Sequence, residues 1–240
     1  MAGTDQGVAR EERDIASLDL PGNYRSLIDQ VTDLGNPRVV LALQAQGPLA
    51  IEDLLPDIPA VVFSGYNGQS QGTALADVLF GAQNPGGRLN FTWYADDSQL
   101  PDIQDYGLTP SHTGVLGRTY QYFTGKPTFP FGYGLSYTTF DYRNLRIERD
   151  KVTGDDTVRV SFDVTNTGSV AGDTVAQLYA TTPAIPGATQ EAPAKHLAGF
   201  AKTRVLKPQQ SQKVTLELPL RQLSVWSEKQ HRQTVPVGSY

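Results

Sequence analysis

The chain has 240 residues, with 39% hydrophobic and 19% charged side chains and a formal net charge of −5. This length allows one large domain or two of ordinary size, and the acidic balance argues against a surface that binds nucleic-acid phosphates. Because cysteine is absent, disulfides, thiolate metal sites and cysteine nucleophiles are excluded. No apolar run is long enough to span a bilayer, and the first residues have no export-signal pattern, which leaves the compartment open.

The first hundred residues alternate between helical and buried-strand patterns, which predicts an α/β fold. A helix over 24–34, ended by Gly35, is predicted from one apolar face that consists of Leu27, Ile28, Val31 and Leu34. Continuous apolar runs at 39–43 and 60–63 predict strands covered on both faces, as in a parallel sheet. A second helix is predicted over 73–80, with an inward face formed by Leu75, Val78 and Leu79.

In the second half of the chain the apolar residues change from helical to alternating spacing. Polar and apolar residues alternate over 158–164 and again over 214–218, which predicts half-solvated antiparallel strands. Clusters of glycine, proline and asparagine, such as 166–168, separate short strands and indicate a β-sandwich of roughly 100 residues. We therefore expect an α/β domain over 1–117, a connector over 118–140 and a β-sandwich over 141–240.

The connector contains an aromatic and glycine-rich segment, 120–140, that is too apolar for a flexible linker. We predict that this segment is ordered and that its aromatic side chains pack against one or both domains. Exposed aromatic rings would instead suit stacking on sugar rings, and the same two alternatives apply to Trp93 and Trp226.

Few residues are grouped in a way that indicates chemistry. His112, His196 and His231 lie far apart and are not spaced for metal ligation, so neither a metal nor a cofactor is predicted. The glycine-rich segment 65–72 joins a strand to a helix but lacks a nucleotide-binding fingerprint, which favours a tight turn. The acidic cluster 11–14 is typical of a solvated segment before a helix, and catalysis by one of its carboxylates is the alternative interpretation.

Several ordered blocks of sequence resemble the C-terminal portion of glycoside hydrolase family 3, in its β-xylosidase and β-glucosidase branch. The blocks in the first half are Glu11-Glu12-Arg13-Asp14, Leu20-Pro21-Gly22-Asn23, Gly65-Tyr66-Asn67-Gly68-Gln69-Ser70-Gln71-Gly72, Ala76-Asp77-Val78-Leu79-Phe80-Gly81 and Asn84-Pro85-Gly86-Gly87-Arg88-Leu89. The later blocks are Gly117-Arg118-Thr119-Tyr120, Phe129-Pro130-Phe131-Gly132-Tyr133-Gly134-Leu135-Ser136-Tyr137, Val164-Thr165-Asn166-Thr167-Gly168 and Lys195-His196-Leu197-Ala198-Gly199-Phe200. The resemblance implies an incomplete three-layer α/β sandwich followed by a fibronectin type III-like β-sandwich.

The resemblance also implies a retaining exo-β-glycosidase that works with two carboxylates. In the family, an acid/base glutamate lies three residues before the aspartate of a Glu-x-x-Asp-Arg block. Aligning the chain on Leu20-Pro21-Gly22-Asn23 makes that aspartate Asp14 and the glutamate Glu11, and Glu12 is the alternative if the loop register differs by one. The chain departs from the family pattern at Ile15, where an arginine is usual, and at Tyr24, where glutamine is common.

The aspartate nucleophile of the family belongs to a (β/α)8 barrel, a fold that needs roughly 250 residues by itself. We therefore expect a chain that lacks the barrel, is truncated at its N-terminus and clipped at its C-terminus, and is inactive alone. The expected partners are a β-linked glycoside substrate and a barrel, with no nucleic acid and no membrane. A non-catalytic carbohydrate-binding or scaffold module is the alternative function, and the sequence leaves xylose and glucose undecided.

Overall fold

The computed structural model describes residues 1–149, 151–183 and 191–240. The chain forms two compact units whose segments interleave along the sequence. The first unit comprises Met1–Leu75, Asn90–Thr119 and Phe123–Phe131, and the second comprises Ala76–Leu89, Tyr120–Tyr122 and Gly132–Tyr240. No helix in the described parts of the chain is both long enough and apolar enough to cross a membrane.

A parallel three-stranded sheet organises the first unit. Its strands β1 (Ala2–Gly3), β2 (Val40–Gln44) and β3 (Ala60–Ser64) lie in that order, so the two predicted apolar runs form neighbouring strands. The prediction that both faces of these strands are covered is wrong, because Val40 is 45% exposed and no residue of β3 is buried. Gly3 must be glycine because a Cβ there would lie 1.8 Å from the backbone carbonyl oxygen of Gln44. A side chain at position 3 would therefore prevent the close pairing of β1 with β2.

Helix α1 spans Tyr24–Asp33 and helix α2 spans Gln71–Leu79, close to the predicted bounds. Gly35, with φ +68°, follows α1 in the left-handed conformation expected after a helix C-terminus. Short 3₁₀ helices at Glu52–Leu54 and Asp97–Gln99, and the single-turn helices α3 (Pro110–Thr113) and α4 (Thr119–Tyr122), complete the helical elements before the second sheet.

An aromatic cluster forms the centre of the first unit. The ring of Trp93, which is 1% exposed, meets the rings of Phe63 and Phe129 edge-on, with centroid separations of 5.0 and 5.7 Å. The indole Nε1 of Trp93 donates a hydrogen bond to the carbonyl oxygen of Leu49 at 2.8 Å. Trp93 is thus a core residue, since its ring is enclosed and its polar atom is satisfied.

The guanidinium group of Arg118 fixes the loop that precedes it. It donates to the backbone carbonyl oxygens of Asp102, Asp105 and Gly107, at 3.0, 2.5 and 3.2 Å. The Gly117-Arg118-Thr119-Tyr120 block is therefore explained in part by loop architecture, because one planar fork satisfies three backbone acceptors.

The predicted apolar residues of α1 lie on one helix, as expected, but most of them are not buried. Ile28 is 8% exposed, whereas Leu27, Val31 and Leu34 are 52%, 37% and 80% exposed. In α2 the prediction also fails in part, because Leu75 and Val78 are half-buried but Leu79 is exposed. Periodicity identifies which side of a helix is apolar, but it does not identify what covers that side.

Substitutions along α1 should therefore have unequal effects on stability. Replacing Ile28 with alanine should lower the free energy of unfolding by about 2–4 kcal/mol, because it removes buried methyl groups and leaves a cavity. Replacing Leu34 with serine should change it by less than about 0.5 kcal/mol, because that side chain is already in solvent. Urea denaturation would measure both values, and equal losses would contradict the structure of this helix.

The second unit is built from antiparallel strands. One sheet contains β4 (Phe140–Ile147), β5 (Thr157–Asn166) and β8 (Ser211–Pro219) in the order β4-β5-β8, and a second contains β6 (Val175–Ala180) and β7 (His196–Lys202). A hairpin of β9 (Val225–Ser227) and β10 (Arg232–Thr234) and the 3₁₀ helix Leu220–Leu223 are the other elements in the described part of this unit.

The alternating patterns over 158–164 and 214–218 are confirmed as strands with one buried face. The residues predicted to face inward are all less than 9% exposed, and they are Val158, Val160, Phe162, Val164, Val214, Leu216 and Leu218. Together with residues such as Ala176, Ala198 and Leu206, they form one continuous hydrophobic core. An alternating strand can be predicted in this way because its side chains point to opposite faces.

Two asparagines explain family blocks as structural motifs of the second unit. The side chain of Asn84 accepts hydrogen bonds from the hydroxyl of Ser136 and the backbone N–H of Tyr137, and it donates to the carbonyl of Ala171. Asn166, which is fully buried, has partners on both atoms of its amide. These contacts tie loops to strands, so the blocks around them are explained by folding.

The aromatic segment is ordered, as predicted, although its burial is partial. Tyr120, Tyr122 and Phe123 are half-buried, while Tyr133 and Tyr137 are 37% and 47% exposed. The hydroxyl of Tyr137 donates to the carbonyl of Val78 at 2.7 Å. Most rings of this segment are therefore partly buried, which is consistent with a packing role.

Candidate active site

The candidate active site lies at the carboxyl edge of the parallel sheet in the first unit. Strands β1, β2 and β3 end at Gly3, Gln44 and Ser64, and because the strands are parallel these ends share one edge. In open α/β sheets, ligands bind in the crevice outside the carboxyl ends of the strands. The acidic cluster 11–14 belongs to the loop that leaves this edge after β1.

The loop after β1 begins with a local turn at Asp5. The carboxylate Oδ1 of Asp5 accepts hydrogen bonds from the backbone N–H groups of Gly7 and Val8, at 2.7 and 3.2 Å. Ala9, which is fully buried, then anchors the chain in the core. This side-chain-to-backbone turn reverses the chain directly after the strand, as is typical of aspartate in turns.

A two-residue hairpin turn carries both candidate carboxylates. The backbone groups of Arg10 and Arg13 exchange two hydrogen bonds, at 3.0 and 2.9 Å, so that Glu11 and Glu12 occupy the two central positions. Glu12 has φ +63°, the left-handed region that a type II turn requires at its second central residue. The turn therefore gives the two adjacent glutamates different backbone geometries.

The side chains of Glu11 and Glu12 are exposed, as are those of Arg13 and Asp14. The chain is anchored again at Leu18, which is buried and whose backbone N–H donates to the carboxylate Oδ1 of Asp97 at 2.8 Å. The acidic cluster is thus a solvent-facing turn between two buried anchors. The interpretation as a solvated segment before a helix is therefore correct about exposure, but the cluster does not lead directly into a helix.

Two hydrogen bonds between side chains involve residues at or just after the three strand ends. The Thr4 hydroxyl, after β1, lies 2.9 Å from the Tyr66 hydroxyl, after β3. The Gln44 amide Nε2, at the end of β2, donates to Oε1 of Gln71 at 2.7 Å. Tyr66 and Gln71 belong to the glycine-rich segment 65–72 noted in the sequence, whereas only their positions beside the ends of β1 and β2 would have indicated Thr4 and Gln44.

The segment 65–72 connects β3 to α2, as predicted, and its residues are exposed. Tyr66 is 47% exposed, so its phenol ring is accessible beside the edge. Elsewhere in this unit, a hydrogen bond from Arg25 lowers the pKa of Asp53, and burial raises the pKa of Tyr94. Asp53 is hydrogen-bonded to Arg25, and the Tyr94 hydroxyl is hydrogen-bonded to the backbone of Thr119. Neither Asp53 nor Tyr94 belongs to the loop 4–14.

Two of the three histidines have separate partners in the structure. The His112 ring nitrogen Nε2 lies 3.9 Å from Asp105 Oδ1, and Nδ1 of His196 lies 3.1 Å from the Gln121 amide. Within the described residues, no group of three or more histidine, aspartate and glutamate side chains could hold a metal ion. The side chains at the carboxyl edge of the sheet can offer proton transfer and hydrogen bonding through their carboxylate, phenol and amide groups.

Comparison with known families supplies the identification. The family model described as the glycosyl hydrolase family 3 C-terminal domain matches residues 1–137, more than half of the chain. The chain belongs to glycoside hydrolase family 3. A fibronectin type III-like domain model matches residues 174–240, so the predicted fold class, α/β followed by a fibronectin-like β-sandwich, is confirmed.

Curated relatives within family 3 include xylosidases and glucosidases. The chain is 33% identical over 228 residues to a β-xylosidase of Formosa agariphila, covering 95% of the chain and 31% of that relative. It is 35% identical to a xylan 1,4-β-xylosidase of Xylanibacter ruminicola, covering 95% of the chain and 24% of the relative. A probable β-glucosidase L of Aspergillus fumigatus is 33% identical, with 93% and 32% covered. The chain thus spans about a quarter to a third of these relatives.

Solved structures of family 3 enzymes have the same fold over this region. A β-D-glucoside glucohydrolase from Trichoderma reesei matches with a TM-score of 0.80 and 32% identity, covering 94% of this chain and 34% of that one. An exo-β-xylosidase, XlnD, solved with a xylobiose aziridine activity-based probe, matches with a TM-score of 0.78 and 29% identity, covering 95% and 32%.

Proposed function

We propose that the chain is part of a retaining exo-β-glycosidase that hydrolyses terminal β-linked xylose or glucose. In this proposal Glu11 is the acid/base, and the nucleophile is an aspartate on a (β/α)8 barrel that this chain does not contain. The barrel is supplied either by another part of the same polypeptide or by a separate partner. The family and the named relatives support the glycosidase assignment.

One structural observation supports a role for the turn that carries Glu11. The side chain of Glu11 is exposed, as is that of Glu12, at the tip of a two-residue turn in the loop that follows β1 at the carboxyl edge of the sheet. The choice of Glu11 over Glu12 comes from the alignment on Leu20-Pro21-Gly22-Asn23. Both sides of the turn are anchored, by buried Ala9 and buried Leu18. A carboxyl held in this way can face a sugar that lies outside the edge, and it can do so without rearrangement of the core.

The proposed mechanism needs two carboxyl groups about 5–5.5 Å apart on opposite sides of the glycosidic bond. The barrel aspartate attacks the anomeric carbon while the Glu11 carboxyl protonates the departing oxygen. The resulting carboxylate then removes a proton from the water that hydrolyses the glycosyl-enzyme.

A second candidate function, a non-catalytic carbohydrate-binding module, is favoured by a different residue. Trp226 is 50% exposed on strand β9, in contrast to the buried Trp93. An exposed indole offers an apolar face to a sugar ring and a polar edge to water. This function belongs to the second unit and does not depend on Glu11.

We also propose the division of the chain into 1–117, 118–140 and 141–240 as its domain organisation. In this proposal the first domain contributes the acid/base loop, and the last contributes the fibronectin-like fold.

Reconstitution with a barrel tests the catalytic proposal. The purified chain should restore hydrolysis of a chromogenic β-xyloside or β-glucoside when it is mixed with a separately produced family 3 barrel, because the two parts together hold both carboxylates. The measurement is release of the chromophore, compared with the barrel alone and with the chain alone. A rate no higher than that of the barrel alone, in a mixture where the two parts bind each other, would contradict the proposal.

A further inference from the structure

The loop that carries Glu11 is held at its start by contacts with both of the other strand ends. The backbone N–H of Thr4 donates to the carbonyl oxygen of Gln44 at 2.9 Å, which continues the pairing of β1 with β2. The hydroxyl oxygens of Thr4 and Tyr66 also lie 2.9 Å apart, which is a hydrogen-bonding distance. Thr4 is therefore held through its backbone to β2 and through its side chain to the segment after β3.

The contact between Thr4 and Tyr66 crosses the middle strand of the sheet. Because the strands lie in the order β1-β2-β3, the ends of β1 and β3 are two strand spacings apart, roughly 10 Å. A long side chain that ends in a hydroxyl can reach across this gap, and Tyr66 supplies one two residues after the end of β3. Phenylalanine has the same ring without the hydroxyl, so at this position it would keep the packing and lose the contact.

Hydrogen bonds continue from Thr4 toward the acid/base turn. The carbonyl oxygen of Asp5 accepts from the backbone N–H groups of Val8 and Ala9, at 3.0 and 2.9 Å. Ala9 is fully buried, and the turn at 10–13 begins directly after it. One fixed point would leave this hydrogen-bonded segment free to pivot, whereas two fixed points, Thr4 and Ala9, also set its direction.

We propose that Tyr66 is a positioning residue for the acid/base loop. Its hydroxyl holds Thr4, and Thr4 together with Ala9 sets the direction in which the turn with Glu11 projects from the edge of the sheet. This inference rests on the proposed function, to which it adds a residue from a distant segment of the chain. In this role Tyr66 acts through Thr4 and needs no contact with the substrate.

Hydrogen exchange in the full 240-residue chain tests the anchor without a barrel. The measured groups are the backbone N–H groups of Gly7, Val8 and Ala9, which donate within the loop. Tyr66→Phe should speed their exchange by about threefold to tenfold, because loss of an ordinary hydrogen bond favours local opening by about that factor. Thr4→Val removes the other hydroxyl and should have the same effect, and the double variant should exchange no faster than either single variant.

Steady-state hydrolysis by the chain reconstituted with a family 3 barrel tests the role in catalysis. On a substrate with a poor leaving group, Tyr66→Phe should lower kcat by about threefold to tenfold and leave KM nearly unchanged. The same substitution should cause no further loss in Glu11→Gln, because glutamine cannot donate the proton wherever the loop places it. Thr4→Ser, which keeps a hydroxyl, should recover most of the activity that Thr4→Val loses.

Tyr142→Phe is the matched control, since it removes the hydroxyl of another tyrosine. Tyr66 and Tyr142 are both 47% exposed, but Tyr142 lies on β4 in the second unit. Exchange in the loop and kcat should both equal those of the unmodified chain.

Three results would overturn the inference. The first is unchanged exchange in both Tyr66→Phe and Thr4→Val, whatever their activity. The second is full activity of Tyr66→Phe when Glu11→Gln is impaired, and the third is a raised KM in Tyr66→Phe that Thr4→Val does not share, which would make Tyr66 a substrate contact. Full activity of Glu11→Gln would contradict the proposed function instead, and the exchange rates would still decide whether Tyr66 fixes the loop.

Discussion

Replacing Glu11 with glutamine should lower kcat of the reconstituted enzyme by about 10²- to 10⁴-fold on a β-xyloside with a poor leaving group, the usual contribution of a positioned acid/base. Glutamine has nearly the same shape as glutamate but cannot donate a proton to the departing oxygen. Because Glu11 is exposed in an anchored turn, the substitution should not disturb folding. Steady-state hydrolysis by equal concentrations of the two reconstituted proteins would measure the loss.

The leaving group distinguishes an acid/base from a residue that only binds substrate. An aglycone of low pKa departs without protonation, so the first chemical step should lose much less in Glu11→Gln when such an aglycone is used. The glycosyl-enzyme should then accumulate, because no base activates water, and azide, which is already anionic, should restore turnover. A uniform loss for all aglycones, without rescue by azide, would indicate a binding role.

Glu12→Gln is the matched control, since it makes the same change at the adjacent residue of the same turn. The two central positions of the turn differ in backbone conformation, with only Glu12 at positive φ, so their side chains leave the turn in different directions. We expect activity close to that of the unmodified chain. Loss in Glu12→Gln together with full activity in Glu11→Gln would move the acid/base by one residue, and full activity in both would remove it from this loop.

The sequence predicts the antiparallel strands of the second unit well because their alternation reports burial directly. Val160 and Leu216 lie opposite each other across β5 and β8, and both are buried as their spacing predicts. The parallel strands of the first unit are also predictable, because a short apolar run such as 60–63 leaves few other structures for the chain. Local pattern and burial agree fully only in the antiparallel strands, since no residue of β3 is buried.

What the sequence could not predict depends on contacts between distant segments. The choice between core and surface for Trp93 and Trp226 is one example, since Trp93 is buried by rings that come from β3 and from residue 129. The exposure of Leu34 is another, because nothing local states whether an apolar helix face is covered. The link from Thr4 to Tyr66 likewise joins residues 62 positions apart.

The family blocks also combine two kinds of information that a single sequence does not separate. Glu11-Glu12-Arg13-Asp14 is an exposed segment in and directly after a tight turn, whereas the blocks at Asn84 and Asn166 form hydrogen-bonded joints inside the second unit. Their residue types are equally distinctive in the sequence. Only the structure separates them, since burial and satisfied hydrogen bonds identify a folding role.

Asn166 should be among the most sensitive residues of the second unit. Its Oδ1 accepts hydrogen bonds from the Thr138 hydroxyl and the Gly168 N–H at 2.6 and 3.1 Å, and its Nδ2 donates to the carbonyls of Val170 and Leu206, both at 2.8 Å. The residue is 0% exposed. Replacing it with alanine should lower the free energy of unfolding by about 3–5 kcal/mol, because several buried polar groups lose their partner at once.

Chemical denaturation followed by circular dichroism would measure this loss, with Asn67→Ala as the control. Asn67 is an exposed asparagine, and its substitution should change the free energy of unfolding by less than about 0.5 kcal/mol. An equal, small effect of both substitutions would show that the buried amide contributes no net stability.

Asn166→Asp tests the hydrogen bonds separately from the shape of the side chain. Aspartate is nearly isosteric with asparagine, but it has a carboxyl oxygen where asparagine has its N–H donor. The introduced carboxyl would meet the carbonyl oxygens of Val170 and Leu206 where the amide donated. Burial and these oxygens disfavour its ionised form, so its pKa in the folded state should lie above the unfolded value of about 3.9. The folded state then binds more protons, and the stability of this variant should fall as pH rises from about 4 through the raised pKa.

The two variants at this position should therefore diverge with pH. Relative to the unmodified chain, Asn166→Asp should be least destabilised near pH 4, where the protonated carboxyl can still donate to one carbonyl, and increasingly destabilised toward neutral pH. The deficit of Asn166→Ala should stay nearly constant, because alanine does not titrate. Parallel pH profiles for the two variants would mean that packing around the side chain, and not donation to Val170 and Leu206, accounts for the stability that Asn166 contributes.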